Sequence, residues 1–455
     1  MTTISRRDFL KTVTAGAATT VLYNWLRAAD VAASFPGGPG EKPNFIVILI
    51  DDMGYGDIEP FGSKVNRTPH LNRMAAEGMK LTSFYTAPVC TPSRAQIMTG
   101  CYAKRVSLPN VLFPASPSGL SSHEQTIAEL LKSRGYSTMC IGKWHLGDQL
   151  EFLPTRHGFD HYIGLPYSND MAPLPLVRDE EVVEAPAEQD KLTALYTDEA
   201  IQFIKTHKDK PFFLFMPHTA VHIPLHPGRN FAGQSANGPY GDWVEEVDWS
   251  VGRILDTLRD LKLDSKTLVL FLSDNGPWLS QGKAGGVAGP LRGGKGTSWE
   301  GGIRVPAIAW WPGRIQSGGV CDAMMHEMDI LPTFVNLAGG HVPADRIIDG
   351  KDIWPLLSAQ SSVSPHKALF FFSGNRLDGL RSDPWKMLIV RQGDGKTWVA
   401  AENAKQQIDN PELFHLASDI GETTNVASQN PDVVKQLKNF IAEMDADLGI
   451  EKIGP

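Results

Sequence analysis

Cysteine is scarce in this chain of 455 residues: the four stand at positions 90, 101, 140 and 321, with no C-x-x-C pair. That spacing excludes a zinc ribbon and a dense disulfide framework. A single bridge among Cys101, Cys140 and Cys321 stays open, because bridging depends on proximity in space. No stretch approaches the ~18 consecutive apolar residues of a membrane-spanning helix, so no stable span is expected. Positive charge is not in excess either, with 43 Lys and Arg against 51 Asp and Glu and a net charge of −8. The acidic balance argues against a nucleic-acid partner, although a local basic pocket for an anion remains compatible with it. The chain is 42% hydrophobic and 21% charged, which excludes a disordered, collagen-like or coiled-coil protein. Its length suits two or three domains, or one large α/β domain with an addition.

The first residues read as an address. Residues 5–11 are Ser-Arg-Arg-Asp-Phe-Leu-Lys, a weakly apolar run follows from Thr12 to Leu26, and small residues stand at Val31-Ala32-Ala33. This is the layout of a signal peptide, the other reading being a basic tail. Arg6-Arg7 with Phe9-Leu10-Lys11 resembles a twin-arginine signal, read by a translocation machinery that passes folded proteins. Residues 1–33 are therefore expected to be a signal peptide, and the mature protein to be exported, periplasmic or extracellular.

Asn44–Ile50 is a continuous apolar run that stops at two aspartates, as expected of a strand buried on both faces of a parallel sheet. Tyr136–Ile141, Pro211–Met216, Thr267–Leu272 and Pro306–Trp311 read the same way. Helical spacing runs over Thr68–Lys80, with Thr68 as cap, and over Pro92–Thr99, His123–Arg134, Thr197–His207, Asp242–Leu261 and Ile330–Leu337. The alternation predicts an α/β fold with a mostly parallel central sheet and helices on both faces. From about Ser361 short strands (Ala368–Phe372, Lys386–Val390, Trp398–Ala401) precede one helix, Pro431–Leu448. Residues 34–360 are thus expected to form a catalytic domain and 361–455 a small C-terminal α+β subdomain. The glycine-rich stretch 276–302 lacks apolar periodicity, and a loop of that length in an α/β enzyme is usually functional.

Polar residues gather after the strands: Asp51-Asp52, Lys143 and His145, His218, and Asp274-Asn275. Open α/β sheets bind ligands outside the carboxyl ends of their strands. Three carboxylates and an amide are hard oxygen donors that suit Ca²⁺ or Mg²⁺, although aspartate after a strand also caps helices and makes turns. Arg94, Lys143, His145, His218 and Lys295 are the matching donors for an anionic substrate.

Cys90-Thr-Pro-Ser-Arg-Ala-Gln-Ile-Met-Thr-Gly100 closely resembles the sulfatase signature C-x-P-S-R-x-x-x-[LM]-T-G. Leu49-Ile-Asp-Asp-Met-Gly-Tyr-Gly56, Gly142-Lys-Trp-His-Leu-Gly147, Ser273-Asp-Asn-Gly276 and Gly293–Pro306 are similar to further motifs of that family. Pro411–Leu416 with Asp419 and Glu422 resembles its C-terminal motif, with Phe414 and His415 in place of Tyr and Asn, and Gly164–Asp170 resembles arylsulfatase A-like members. The resemblance implies an alkaline-phosphatase-like fold and hydrolysis of sulfate esters. It also implies that a maturation enzyme oxidises Cys90 to formylglycine. By the same resemblance Asp51, Asp52, Asp274 and Asn275 hold one Ca²⁺ with an oxygen from modified Cys90. Arg94 steadies the hydrated aldehyde, Lys143 and His145 assist it, His218 and Lys295 contact the sulfate and its leaving oxygen, and Ser168 is a further pocket residue. Trp278, Arg292, His157, His222 and Asn169 lie near these motifs and are candidates for lining the leaving-group pocket.

A sulfate monoester resists an anionic nucleophile, which is why the chemistry needs a metal and cationic side chains. One hydroxyl of a hydrated aldehyde attacks sulfur and the second then expels sulfate, an exit that a serine lacks. The expected substrate is a sulfated sugar or polysaccharide fragment. The alternatives are a phosphonate or phosphodiester hydrolase and a catalytically silent protein that binds sulfated glycans.

Overall fold

The computed structural model describes residues 42–396 and 407–449. The expected signal peptide, 1–33, and the expected strand 398–401 lie outside the described residues. No described helix is long and apolar enough to cross a membrane, and all four cysteines are free thiols.

The large sheet is built from β1 (Asn44–Ile50), β2 (Met79–Tyr85), β3 (Ser137–Ile141), β4 (His161–Gly164), β5 (Leu176–Arg178) and β6 (Glu181–Glu184). It continues with β7 (Phe212–Pro217), β8 (Thr267–Ser273), β9 (Arg304–Trp310), β10 (Gly319–Cys321) and β11 (Met325–His326). Their order is β10-β2-β9-β8-β1-β7-β3-β4-β5-β6, with β11 also on β2. The middle run β8-β1-β7-β3-β4 is parallel throughout. Antiparallel pairs enter on both flanks, through β9 on one side and β5 and β6 on the other. The sheet is mostly parallel, as expected, with β10 and β11 also parallel to β2 and the antiparallel pairs confined to its flanks.

β1, β7, β8 and β9 are buried along their whole length, because helices cover both faces. Ile46, Ile48 and Ile50 pack into one cluster with Tyr196 and Ala200 of helix Leu192–Thr206 and Val247 and Val251 of helix Gly238–Asp260. On the opposite face Phe45 stacks on Phe334 of helix Ile330–Leu337. The register pairs Ile50 with Ser273, so the residues that follow, Asp51 and Asp274, emerge side by side at the carboxyl edge.

The helix expected over 68–80 is Pro69–Glu77, and Thr68 makes no side-chain cap. Its hydroxyl instead accepts from the Glu59 N–H at 2.9 Å. The cap is Asp248, reaching across from Gly238–Asp260 to the His70 and Leu71 N–H groups at 3.1 and 2.7 Å.

Gly142 follows β3 at φ +126°, and a Cβ there would lie 1.9 Å from the Pro217 carbonyl oxygen. This close crossing brings Lys143, whose N–H donates to that same carbonyl at 2.7 Å, over the β1 edge. Gly142→Ala should therefore destabilise the fold by about 3 kcal/mol or more. An unchanged urea midpoint would refute that account of the crossing.

The C-terminal part forms a second, antiparallel sheet, β12 (Leu369–Ser373), β13 (Arg376–Ser382), β14 (Trp385–Val390) and β15 (Gln407–His415), in sequential order. Leu437 of helix Pro431–Leu448 packs on it against Leu380, Met387 and Leu413. Neither β13 nor β15 is among the strands expected from the sequence. β13 buries Asp378 and Arg381 in polar contacts, and β15 contains Pro411, so neither shows an apolar strand pattern.

Candidate active site

The ends of β1, β3, β7 and β8 meet the head of helix Cys90–Thr99, all ten residues of which are buried. Cys90 and Arg94 stand one turn apart and so share a helix face. The Arg94 guanidinium donates to Asp274 Oδ2 through Nη2 at 2.8 Å and Nε at 3.2 Å, and its Nη2 lies 3.5 Å from Asp51 Oδ2. Lys143 Nζ pairs with Asp51 and donates to Ser168 Oγ at 3.1 Å. Lys295 Nζ pairs with Asp52 Oδ1 at 2.7 Å, and Asn275 Nδ2 donates to the same oxygen at 2.8 Å. The Asp52 N–H donates to Asp274 Oδ1 at 3.2 Å. Cys90 Sγ and carboxylate oxygens of Asp51 and Asp274 all lie within 4.8 Å of one another. Asp52 and His145 adopt left-handed backbone, φ 61° and 60°, a strain that collects at functional sites.

Burial raises Asp51, but the charges of Lys143 and Arg94 override it and hold the carboxyl well below the usual range. Burial, and after it the Asp51 charge, pushes Asp274 up to about 7. Burial alone would lower Lys295; the Asp52 carboxylate outweighs it and keeps the ammonium charged. Burial also pushes the Cys90 thiol up. His145 is held well below its ordinary value by burial and then by Lys143. Its Nε2 lies 2.9 Å from the Leu112 carbonyl, which can only accept, so Nε2 carries the proton and Nδ1 is left as an acceptor.

The structure does not bring His218 into this cluster. Its N–H still pairs with the Leu49 carbonyl as a continuation of β7, and strand alternation points its ring to the same face as Met216. There it packs on Tyr196, ring centroids 6.1 Å apart. Neither ring nitrogen has a hydrogen-bond partner among the described residues, and burial lowers its pKa to about 3. The histidine that reaches the cluster is His222. Paired Asp51 and Ala220, and Asp51 and Val221, backbone groups lace its segment to β1 at 2.9 Å each. His222 Nε2 lies 3.6 Å from Asp52 Oδ2, and Nδ1 lies 2.6 Å from the Ile223 carbonyl. Strand alternation carried one residue past β7 would have placed His218 in the core, and that was the signal available in the sequence.

Among the remaining pocket candidates, Trp278 lies over Lys295 Nζ at 4.4 Å and beside the His222 ring at 5.3 Å. Asn169 Nδ2 donates to the Gln189 side chain at 3.0 Å and to the Pro224 carbonyl at 3.2 Å. His157 stacks on Trp144, and Arg292 stacks on Trp299 and donates to the Glu422 carbonyl at 2.7 Å.

Residues 43–340 match the family model for sulfatase, and residues 364–452 the model for the C-terminal region of aryl-sulfatase. The chain belongs to the sulfatase family. It is 38% identical to the N-acetylgalactosamine-6-sulfatase of Rattus norvegicus over 85% of this chain and 81% of that one. It is 37% identical to the arylsulfatase A of Bos taurus over 92% and 90%. The crystal structure of the PsFucS1 sulfatase from Pseudoalteromonas sp. superposes with a TM-score of 0.82 at 29% identity, covering 91% of this chain and 93% of that one. The expected α/β architecture with its small C-terminal sheet is thus the fold of this sulfatase, and its reaction class is that of a sulfuric ester hydrolase.

Proposed function

We propose that this sulfatase hydrolyses sulfate monoesters carried on a sugar, with formylglycine made from Cys90 as nucleophile and one Ca²⁺ as cofactor. The observation that carries this reading is the buried set of three carboxylates and three cations around the Cys90 side chain. Asp51, Asp52, Asp274 and Asn275 would hold the ion, joined by an oxygen of the modified Cys90. The fit rests on oxygen donors throughout and on Asp51 Oδ1 and Asn275 Oδ1. Both atoms are buried acceptors with no hydrogen-bond partner among the described residues. When bound, Ca²⁺ would offset negative charge on the sulfate and its attacker. Formylglycine would supply two hydroxyls, one to attack sulfur and one to expel sulfate. The thiol itself is a poor nucleophile, since burial keeps it protonated.

Lys143, steadied by Asp51 and Ser168, presents its ammonium to the sulfate oxygens, and Arg94 neutralises the carboxylates beneath. His145 Nδ1, a buried acceptor without a partner among the described residues, would accept a hydrogen bond from the nucleophile. Lys295 and His222, which both lie against Asp52, would meet the ester oxygen. The Ile223 carbonyl holds one His222 proton on Nδ1, so Nε2 protonates the departing alcohol only from the imidazolium form, which burial and Lys295 oppose and the Asp52 and Asp51 carboxylates favour. Trp278 offers an aromatic face to a sugar ring, and the relative named for N-acetylgalactosamine 6-sulfate supports an amino sugar. Residues 1–33 fit the same reading as an export signal, with Cys90 oxidised before the folded chain leaves the cytosol.

The test is sulfate release from N-acetylgalactosamine 6-sulfate by protein purified from its own host, with peptide masses around Cys90. Release should stop with a chelator and return with Ca²⁺, and the peptide should be lighter by about 18 Da. Tight binding without release, or faster hydrolysis of a phosphate diester than of any sulfate ester, would overturn the reading.

A further inference from the structure

A second buried ionic cluster lies away from the reacting groups, where the small sheet meets the glycine-rich loop. Lys386 of β14 pairs with Glu300 Oε1 at 2.9 Å and with Glu422 Oε1 at 2.8 Å, and all three side chains are fully buried. Glu422 Oε2 accepts from the Glu300 N–H at 2.7 Å. Glu300 Oε2 accepts from the Tyr85 hydroxyl at 2.6 Å and from Arg304 at 3.1 Å. Glu300 closes the segment that begins with Lys295, and the small sheet and the loop that follows β14 each grip that segment as well. Ser298 Oγ donates to Asp378 Oδ2 at 2.8 Å, and Trp299 Nε1 donates to the Gly393 carbonyl at 2.8 Å. At its other end the segment carries the ammonium that pairs with Asp52.

We propose that Lys386 and Glu422 are positioning residues for the sulfatase reaction, holding the 295–300 segment so that Lys295 stays against Asp52 and its substrate. This rests on the role given to Lys295 under the proposed function. Truncating a charge in such a cluster leaves its partner buried and unpaired, and a shift near 1 Å at a reacting group costs up to ~10²-fold in rate.

The experiment is a double-mutant cycle in the full chain. Lys386→Met should lower kcat/KM for the sugar sulfate roughly ten- to a hundredfold while circular dichroism stays native. Lys386→Arg should restore part of that loss. In a Lys295→Ala background Lys386→Met should cost little more, because the group it positions is gone. Should Lys386→Met fail to fold, Glu422→Gln enters the same cycle, keeping an acceptor for the Glu300 N–H. Multiplicative losses in the cycle, or wild-type kcat/KM in the folded single variant, overturn the proposal. If the wild type releases no sulfate, the functional reading itself fails. The cycle then reads the affinity for inorganic sulfate by calorimetry, with the same non-additive pattern expected and an additive one fatal to the positioning role.

Discussion

Cys90→Ala should release no measurable sulfate, a loss of about 10⁴-fold or more in kcat, with a melting temperature within about 3 °C of the wild type. The asymmetry follows from where the side chain sits. Cys90 opens its helix beside Asp51 and Asp274, so its removal deletes the attacking group but only one sulfur atom of packing. The buried cations stay paired with their carboxylates, and sulfate binding should survive. Cys90→Ser sharpens the result. A serine that attacked sulfur would be left as a sulfate ester with no second hydroxyl to expel it, so at most one alcohol per chain should appear. Steady turnover by either variant would remove Cys90 from the chemistry.

The second large effect separates two histidines four residues apart. His222→Ala should lower kcat about 10²- to 10⁴-fold on a sugar sulfate, the range for loss of a general acid. The loss should be smaller on 4-nitrophenyl sulfate, whose leaving group needs little protonation. His218→Phe should keep turnover within about threefold, because the ring packs on Tyr196 and touches no reacting group. Its signature is in stability. Burial lowers His218 to about 3 from 6.5, so the unfolded chain takes the proton first as pH falls. The wild type therefore has the full His218 contribution above pH 6.5 and loses it steadily down to about pH 3. His218→Phe should remove that one-proton slope, about 1.4 kcal/mol per pH unit, from the difference between the two unfolding curves. Equal loss of turnover in both variants would contradict the assignment.

Much of the architecture was legible because burial on both faces writes itself as uninterrupted apolar runs. The bounds expected for Asn44–Ile50 and Ile330–Leu337 are those of the structure. What departs from the sequence expectation, one strand and one helix cap, takes its stability from elsewhere. β13 exchanges apolar alternation for buried Asp378 and Arg381, and Pro69–Glu77 takes its cap from Asp248 rather than from its own Thr68. Distant partners of this kind leave no local pattern, since the helix or strand period registers only the residue's own neighbours.

The candidate site divides along the same line. The sequence by itself determined the family, through the long run from Cys90 to Gly100, and the chemical character of the site, through the residues that follow the strands. The tertiary structure alone decided which side chains face one another: His222 in place of His218, Trp278 on Lys295, and Lys386 with Glu422 behind Glu300. Residue type sets what a group can donate or accept, and the local period sets which side of a strand it leaves from. The pairing of groups more than 80 residues apart, such as Lys386 with Glu300, depends on strand order and register, which no short stretch of sequence encodes.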